Sequence, residues 1–152
     1  MSTRIILIVI VVVSLVLLPG CVAEPGVTEY REITKNSGEG NSLIVEKFDS
    51  YPIDKQIDVF LYSEDPRFEA IPARNGKSKI RSIVSRIEEK KTTYYQKWRL
   101  VRVLHRIQNE CRCVKSDRYV MSRLERLSDL TNENAEHYKS MFSKDVKYLR
   151  EM

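Results

Sequence analysis

No glycine and no proline occurs in the 76 residues that follow Gly76. Those two residues are the strongest breakers of a helix. A stretch of that length without either predicts helix after helix, separated by short polar turns. Apolar spacing divides the stretch into four. Ile80, Ile83, Val84 and Ile87 make one stripe on a helix over about 78–90. Trp98, Leu100, Val101, Val103, Leu104 and Ile107 make a wider arc over about 93–109, which predicts a central helix. A third helix starts near Ser116, a fitting N-cap with Asp117 in the first turn, and carries Val120, Leu124 and Leu127 with Met121 beside them. The last starts near Thr131 or Asn132 and is expected to bury Ala135, Tyr138, Phe142, Val146 and Leu149. Burial is also expected of Trp98, Leu104 and Leu124. The fold class is therefore mostly α: antiparallel helices forming αα-hairpins or a small bundle.

A short echo runs through this stretch. Ile83-Val84-Ser85-Arg86-Ile87-Glu88 parallels Val120-Met121-Ser122-Arg123-Leu124-Glu125, and a second helix follows each copy. The spacing suits stacked helical hairpins and loosely resembles the HEAT class. Chance similarity between two amphipathic helices is the competing explanation.

Upstream, Pro52 to Ser63 carries Ile53, Ile57, Phe60 and Leu61 at helical spacing, although Ile57, Val59 and Leu61 also alternate as in a strand; helix is the favoured reading. Pro66 and Pro72 bracket a loop. Leu43-Ile44-Val45 fits either a short strand or the first hydrophobic contact of the domain. Residues 23–42 open with Glu24-Pro25-Gly26 and close with Asn36-Ser37-Gly38-Glu39-Gly40-Asn41-Ser42. This composition predicts a flexible polar spacer. The organisation expected is thus a leader over 1–20, a tether over 21–42 and one helical domain over 43–152.

The leader has its own signature. Arg4 precedes fourteen residues, Ile5 to Leu18, that are apolar except for Ser14. As a helix that run reaches about 21 Å against roughly 30 Å of hydrocarbon, so it suits an export signal better than a permanent span. A short uncleaved anchor is the alternative. Leu18-Pro19-Gly20-Cys21 follows directly, and this segment resembles the lipobox of bacterial lipoproteins. Gly20 and Cys21 fit the pattern and Leu18 fits its aliphatic position; Pro19 departs from the small or β-branched residue found there. The resemblance covers the first 21 residues. It implies cleavage before Cys21 and acylation of that residue with diacylglycerol and a further acyl chain such as palmitate. Two or more chains on one residue anchor far more firmly than one. Val22, where retained lipoproteins carry Asp, implies an outer membrane destination facing the periplasm.

From Cys21 onward the chain holds 25 Lys and Arg against 21 Asp and Glu. A solvated mixed surface accounts for that balance, and attraction to anionic lipid or an acidic partner is the sharper reading. The implied compartment argues against nucleic acid. Expected partners are membrane lipid through Cys21 and a protein of the cell envelope.

Few residues suggest chemistry. Gly76-Lys77-Ser78 has the end of a phosphate-binding loop, but Ile71 stands where that loop needs a glycine, so a helix start is expected. Cys111-Arg112-Cys113 supplies the two thiols left once Cys21 is lipidated. A disulfide, free or partner-linked thiols, and redox or metal work compete there. His105 is expected half-buried as a packing residue, and His137 exposed. Arg99, Arg102 and Arg106 repeat at spacings of three and four and so form one helical ridge. It is read either as a solvated face or as a binding strip for acidic groups. No cofactor, metal site or catalytic set is expected. The function expected is a non-catalytic binding, adaptor or assembly module. An immunity or inhibitor lipoprotein that neutralises an envelope-targeting enzyme, and an envelope enzyme with a hidden site, stay open beside it.

Overall fold

The computed structural model describes residues 24–35, 41–64, 68, 73–129 and 137–152. They form one mostly helical domain, and among the described residues there is no strand. In chain order the helices are α1 (Val27–Thr34), α2 (Asn41–Ser50), α3 (Ile53–Tyr62), α4 (Ile80–Glu88), α5 (Tyr94–Cys111), α6 (Arg118–Asp129) and α7 (His137–Glu151), with a 3-10 turn over Gly76–Lys79 before α4. No helix among the described residues is long and apolar enough to cross a membrane.

The four C-terminal helices pack as two stacked hairpins, α4–α5 and α6–α7. Side-chain contacts give their directions. Arg81 of α4 lies over the Tyr119 ring of α6, and further along Glu88 of α4 meets Arg123 and Arg126 of α6. Tyr95 meets Tyr138, and further along His105 meets Tyr148, between α5 and α7. In both pairs the contacts advance along the two chains together. So α4 runs parallel to α6 and α5 parallel to α7, while the partners within each hairpin are antiparallel.

The sequence echo has a counterpart in this stack. Ile83, Val84 and Ile87 are buried, as are their counterparts Val120, Met121 and Leu124. Arg86 and Arg123 stand at the same place in the two copies, and each reaches back to a carboxylate on the preceding helix layer. Arg86 pairs with Asp58 at 2.8 Å, and Arg123 with Glu88 at 2.6 Å.

Helix α5 is the centre of the core, with Leu100, Val101, Val103, Leu104 and Ile107 all buried. Its start is fixed by a capping box. Thr93 Oγ1 accepts the N–H of Gln96 at 3.3 Å, and Gln96 Oε1 accepts the N–H of Thr93 at 3.0 Å. Its end turns at Arg112, in the left-handed region at φ 51°. Gly76 sits against Ile107, and a Cβ there would run into the isoleucine side chain. The Gly76-Lys77-Ser78 segment therefore opens a helical turn on α5.

Several expectations are corrected. The spacer expected over 23–42 is helical at Val27–Thr34, and α2 begins at Asn41. The physical reason is tertiary. Ile33 is buried, and Tyr30 sets its ring against Tyr62 and Phe68. Gly26, at φ 86°, passes so close to the backbone of Asp58 and Val59 that no side chain fits. Residues 36–40 lie outside the described residues. Leu43-Ile44-Val45 is helical, with Ile44 buried. The cap of α6 is Asp117, whose Oδ1 accepts the N–H of Val120 at 3.1 Å, whereas Ser116 donates to the Cys113 carbonyl. Phe142, Val146 and Leu149 are buried as the period requires, but Tyr138 is 40% exposed. Trp98 is only partly buried, at the rim of the core.

Candidate binding face

Helices α5 and α7 lie side by side, and their shared outer surface collects aromatic rings and arginines. Tyr95, Trp98, Arg102 and His105 follow one another along α5 at spacings of three and four, so they share a face. Tyr138, Asp145 and Tyr148, at spacings of seven and three, likewise share a face of α7. Tyr138 packs edge-on against Tyr95 at 4.8 Å between ring centres and lies 5.8 Å from Trp98. That explains its departure from the core. The first turn of α7 meets rings that already stand at the surface of α5.

Two hydrogen bonds bind this face together. Trp98 Nε1 donates to Asp145 Oδ2 at 3.0 Å, and His105 Nε2 lies 2.8 Å from the Asp145 carbonyl oxygen. His105 also sets its ring against Tyr148. Its half-buried place between α5 and α7 is that of a packing residue bonded to main chain. His137 is exposed beside Tyr138.

The arginine ridge runs along the same helix. Arg99, Arg102 and Arg106 line one shallow cavity with Phe60 and Val103. Arg99 lies with its guanidinium 4.4 Å from the Phe60 ring centre, and donates to the carbonyls of Leu61 at 3.2 Å and Ser63 at 2.8 Å. Those carbonyls belong to the C-terminal end of α3, where a helix presents its negative dipole end. Arg102 is exposed and stacks on the Trp98 ring at 5.3 Å. Arg106 is half-buried. Among the described residues neither Arg99 nor Arg102 pairs with a carboxylate. By contrast Arg74, Arg86, Arg123, Arg126 and Arg150 all do. Carbonyl and ring contacts hold a guanidinium in place without cancelling its charge. Arg99 and Arg102 thus keep fixed positive charge next to aromatic faces. At the near end of the face, Lys97 and Lys139 both lie over the Tyr94 ring.

The cavity under the ridge holds about 20 Å³, room for a water-sized group and no more. The face is therefore too shallow to enclose a small molecule. A larger groove of about 350 Å³ lies between α1 and α2 beside Ile33, Leu43 and Ile44. Its Lys47 is already bonded to the Glu32 carbonyl, and it gathers no comparable set of rings and cations.

The remaining sequence candidates fall elsewhere. Cys21 lies outside the described residues. Cys111 and Cys113 are joined by a disulfide on the turn between α5 and α6. Among the described residues no group of three His, Cys, Asp or Glu side chains is placed to hold a metal ion. Sequence reasoning placed the arginine ridge but missed the rings beside it; the Tyr95, Trp98, Arg102 and His105 spacing was the available signal. No family model, no curated protein and no solved structure matches this chain.

Proposed function

We propose that this chain is a lipid-anchored, extracytoplasmic binding module that docks an acidic surface of an envelope protein through the α5–α7 face. The anchor rests on the sequence. Arg4, the apolar run to Leu18 and the lipobox-like Leu18-Pro19-Gly20-Cys21 follow one another in the order an acylated export signal requires. Acylation of Cys21 gives the domain an address, probed by metabolic palmitate labelling. Labelling is expected in the native chain and lost in Cys21→Ser; equal labelling of the two sinks the anchor.

The observation that carries the docking surface is the state of Arg99 and Arg102. Both are held by carbonyls or rings, with no carboxylate partner among the described residues. Their neighbours are Trp98, Tyr95 and Tyr138. Tryptophan, tyrosine and arginine are the residues that dominate the energetics of protein–protein contacts. Carboxylates of a partner supply what these arginines lack, with bidentate geometry available to Arg102. The proposed role is adaptor, assembly factor or inhibitor, and no step of bond chemistry is assigned to the face.

Changing Arg99, Arg102 and Arg106 together to Gln tests the docking strip. None of the three side chains belongs to the buried core, so far-UV circular dichroism is expected to stay native. Capture of the envelope partner is expected to fall at least tenfold, most clearly at low salt, where screening is weakest. Undiminished capture by a folded triple variant rejects the strip.

A further inference from the structure

We propose that the Cys111–Cys113 disulfide is a thiol–disulfide exchange site that oxidises exposed dithiols. This inference is independent of the docking face. It begins from the turn itself, which other groups already build. Gln108, buried on the last turns of α5, accepts the N–H groups of Val114 and Lys115 on its Oε1, each at 3.0 Å. Its carbonyl accepts the Arg112 N–H at 2.7 Å, closing the helix with Arg112 in the left-handed region. Val114 is fully buried and pins the far side of the turn. A disulfide between residues two apart adds little to this. Its constraint on the unfolded chain grows with the logarithm of the loop it closes, and this loop is nearly the smallest available.

The two sulfurs differ in access and in charge. Cys111 is exposed, whereas Cys113 is half-buried and packed against the core. Cys111 sits in the last turn of α5, where the helix carbonyls oppose a thiolate. Cys113 lies beyond those helix carbonyls and two residues from Lys115, whose positive charge favours one; Arg112 adjoins both cysteines and does not distinguish them. Both differences direct the reaction the same way. An incoming thiolate attacks at Cys111, the more exposed residue of the pair, and the better leaving group, Cys113, departs.

The steps balance as follows. A thiolate of the dithiol substrate bonds to Cys111 Sγ as the Cys111–Cys113 bond breaks, and the electron pair goes to Cys113. The second substrate thiolate then attacks the substrate sulfur in the mixed disulfide and expels Cys111 as thiolate. The substrate ends as a disulfide, having lost two electrons. The pair ends as two thiols, having gained them together with the protons the substrate thiols released.

The test uses the full chain in a glutathione redox buffer, with the state of Cys111 and Cys113 read by differential alkylation and mass. The pair is expected to be half reduced at about millimolar reduced glutathione, the regime of exchangeable disulfides as opposed to structural ones. The reduced protein is expected to keep its circular dichroism and to melt within about 3 °C of the oxidised form. A synthetic dithiol peptide is expected to be oxidised one for one as the pair is reduced. Two results overturn the proposal. One is a pair that stays oxidised in about 10 mM reduced glutathione. The other is a reduced protein, or a Cys111→Ser, Cys113→Ser double variant, that melts more than about 5 °C lower, since the disulfide is then structural.

Discussion

Trp98 donates its indole N–H to Asp145 across the seam between α5 and α7, and the same aspartate offers its main-chain carbonyl to His105 one step further along. One residue of α7 thus holds two of α5, and it does so at the base of the aromatic face. The tryptophan is the only one in the chain, which makes its fluorescence a direct report on this seam. Asp145→Ala leaves the partly buried indole N–H without its acceptor and is expected to cost about 1–3 kcal/mol in urea unfolding. Emission at Trp98 should shift in the folded state, and Asp145→Asn, which keeps an acceptor oxygen, should lose less. Equal stability of the alanine variant and the native chain would show that this bond contributes nothing.

Leu104 and Leu124 are fully buried on α5 and α6. Truncating either to Ala is expected to cost about 2–5 kcal/mol, the range for a large aliphatic side chain that leaves a cavity. The two helices belong to different hairpins. Cooperative unfolding of both variants, followed by tryptophan fluorescence and circular dichroism together, checks that the hairpins share one core.

Gly76→Ala places a methyl group against Ile107. The φ of Gly76 is not in the left-handed region, so the expected loss of about 1–3 kcal/mol comes from crowding alone. Ile107→Val in the same chain should recover part of it. A double-mutant cycle measures that coupling, and additive losses would place the crowding elsewhere.

Lys97 is buried to 8% exposure on α5 with its ammonium over the Tyr94 ring. Burial pushes its pKa below the ordinary lysine value of 10.5. The unfolded chain therefore holds this proton more tightly than the fold does. The resulting penalty is present at neutral pH and is relieved as pH rises from the lowered value toward 10.5. Lys97→Met is expected to be more stable than the native chain at pH 7, with the gap narrowing toward pH 10. Urea unfolding at both pH values reads the sign. A less stable methionine variant would mean that the ring contact outweighs burial.

Much of this fold is legible along the chain because its stripes repeat locally. Ile83, Val84 and Ile87, or Leu100, Leu104 and Ile107, declare their helix faces without knowledge of any neighbour. The capping box of Thr93 and Gln96 was equally local, a threonine followed three residues later by glutamine, and was an unused signal. Helix α1 was not legible. Its one fully buried apolar residue is Ile33, and its helical state depends on Tyr62, Phe68 and the α3 backbone, all distant in sequence. The same applies to the candidate face. The ridge of Arg99, Arg102 and Arg106 follows from helical spacing. That Arg99 grips carbonyls 36 and 38 residues away does not, nor that Tyr138 leaves the core to join Tyr95 and Trp98.

The central claim is that the α5–α7 face meets a partner, and a photo-crosslinking amino acid tests it most directly. One full-length chain carries the crosslinker at Tyr138, on that face. Another carries it at Ser122, which is exposed on α6 in the other helix layer. Both are expressed in the native envelope and irradiated. A discrete protein adduct is expected from position 138, absent from position 122, and at least tenfold weaker when Arg102→Gln is added. An adduct from position 122 with none from position 138 would contradict the account, as would an adduct at 138 that Arg102→Gln leaves unchanged.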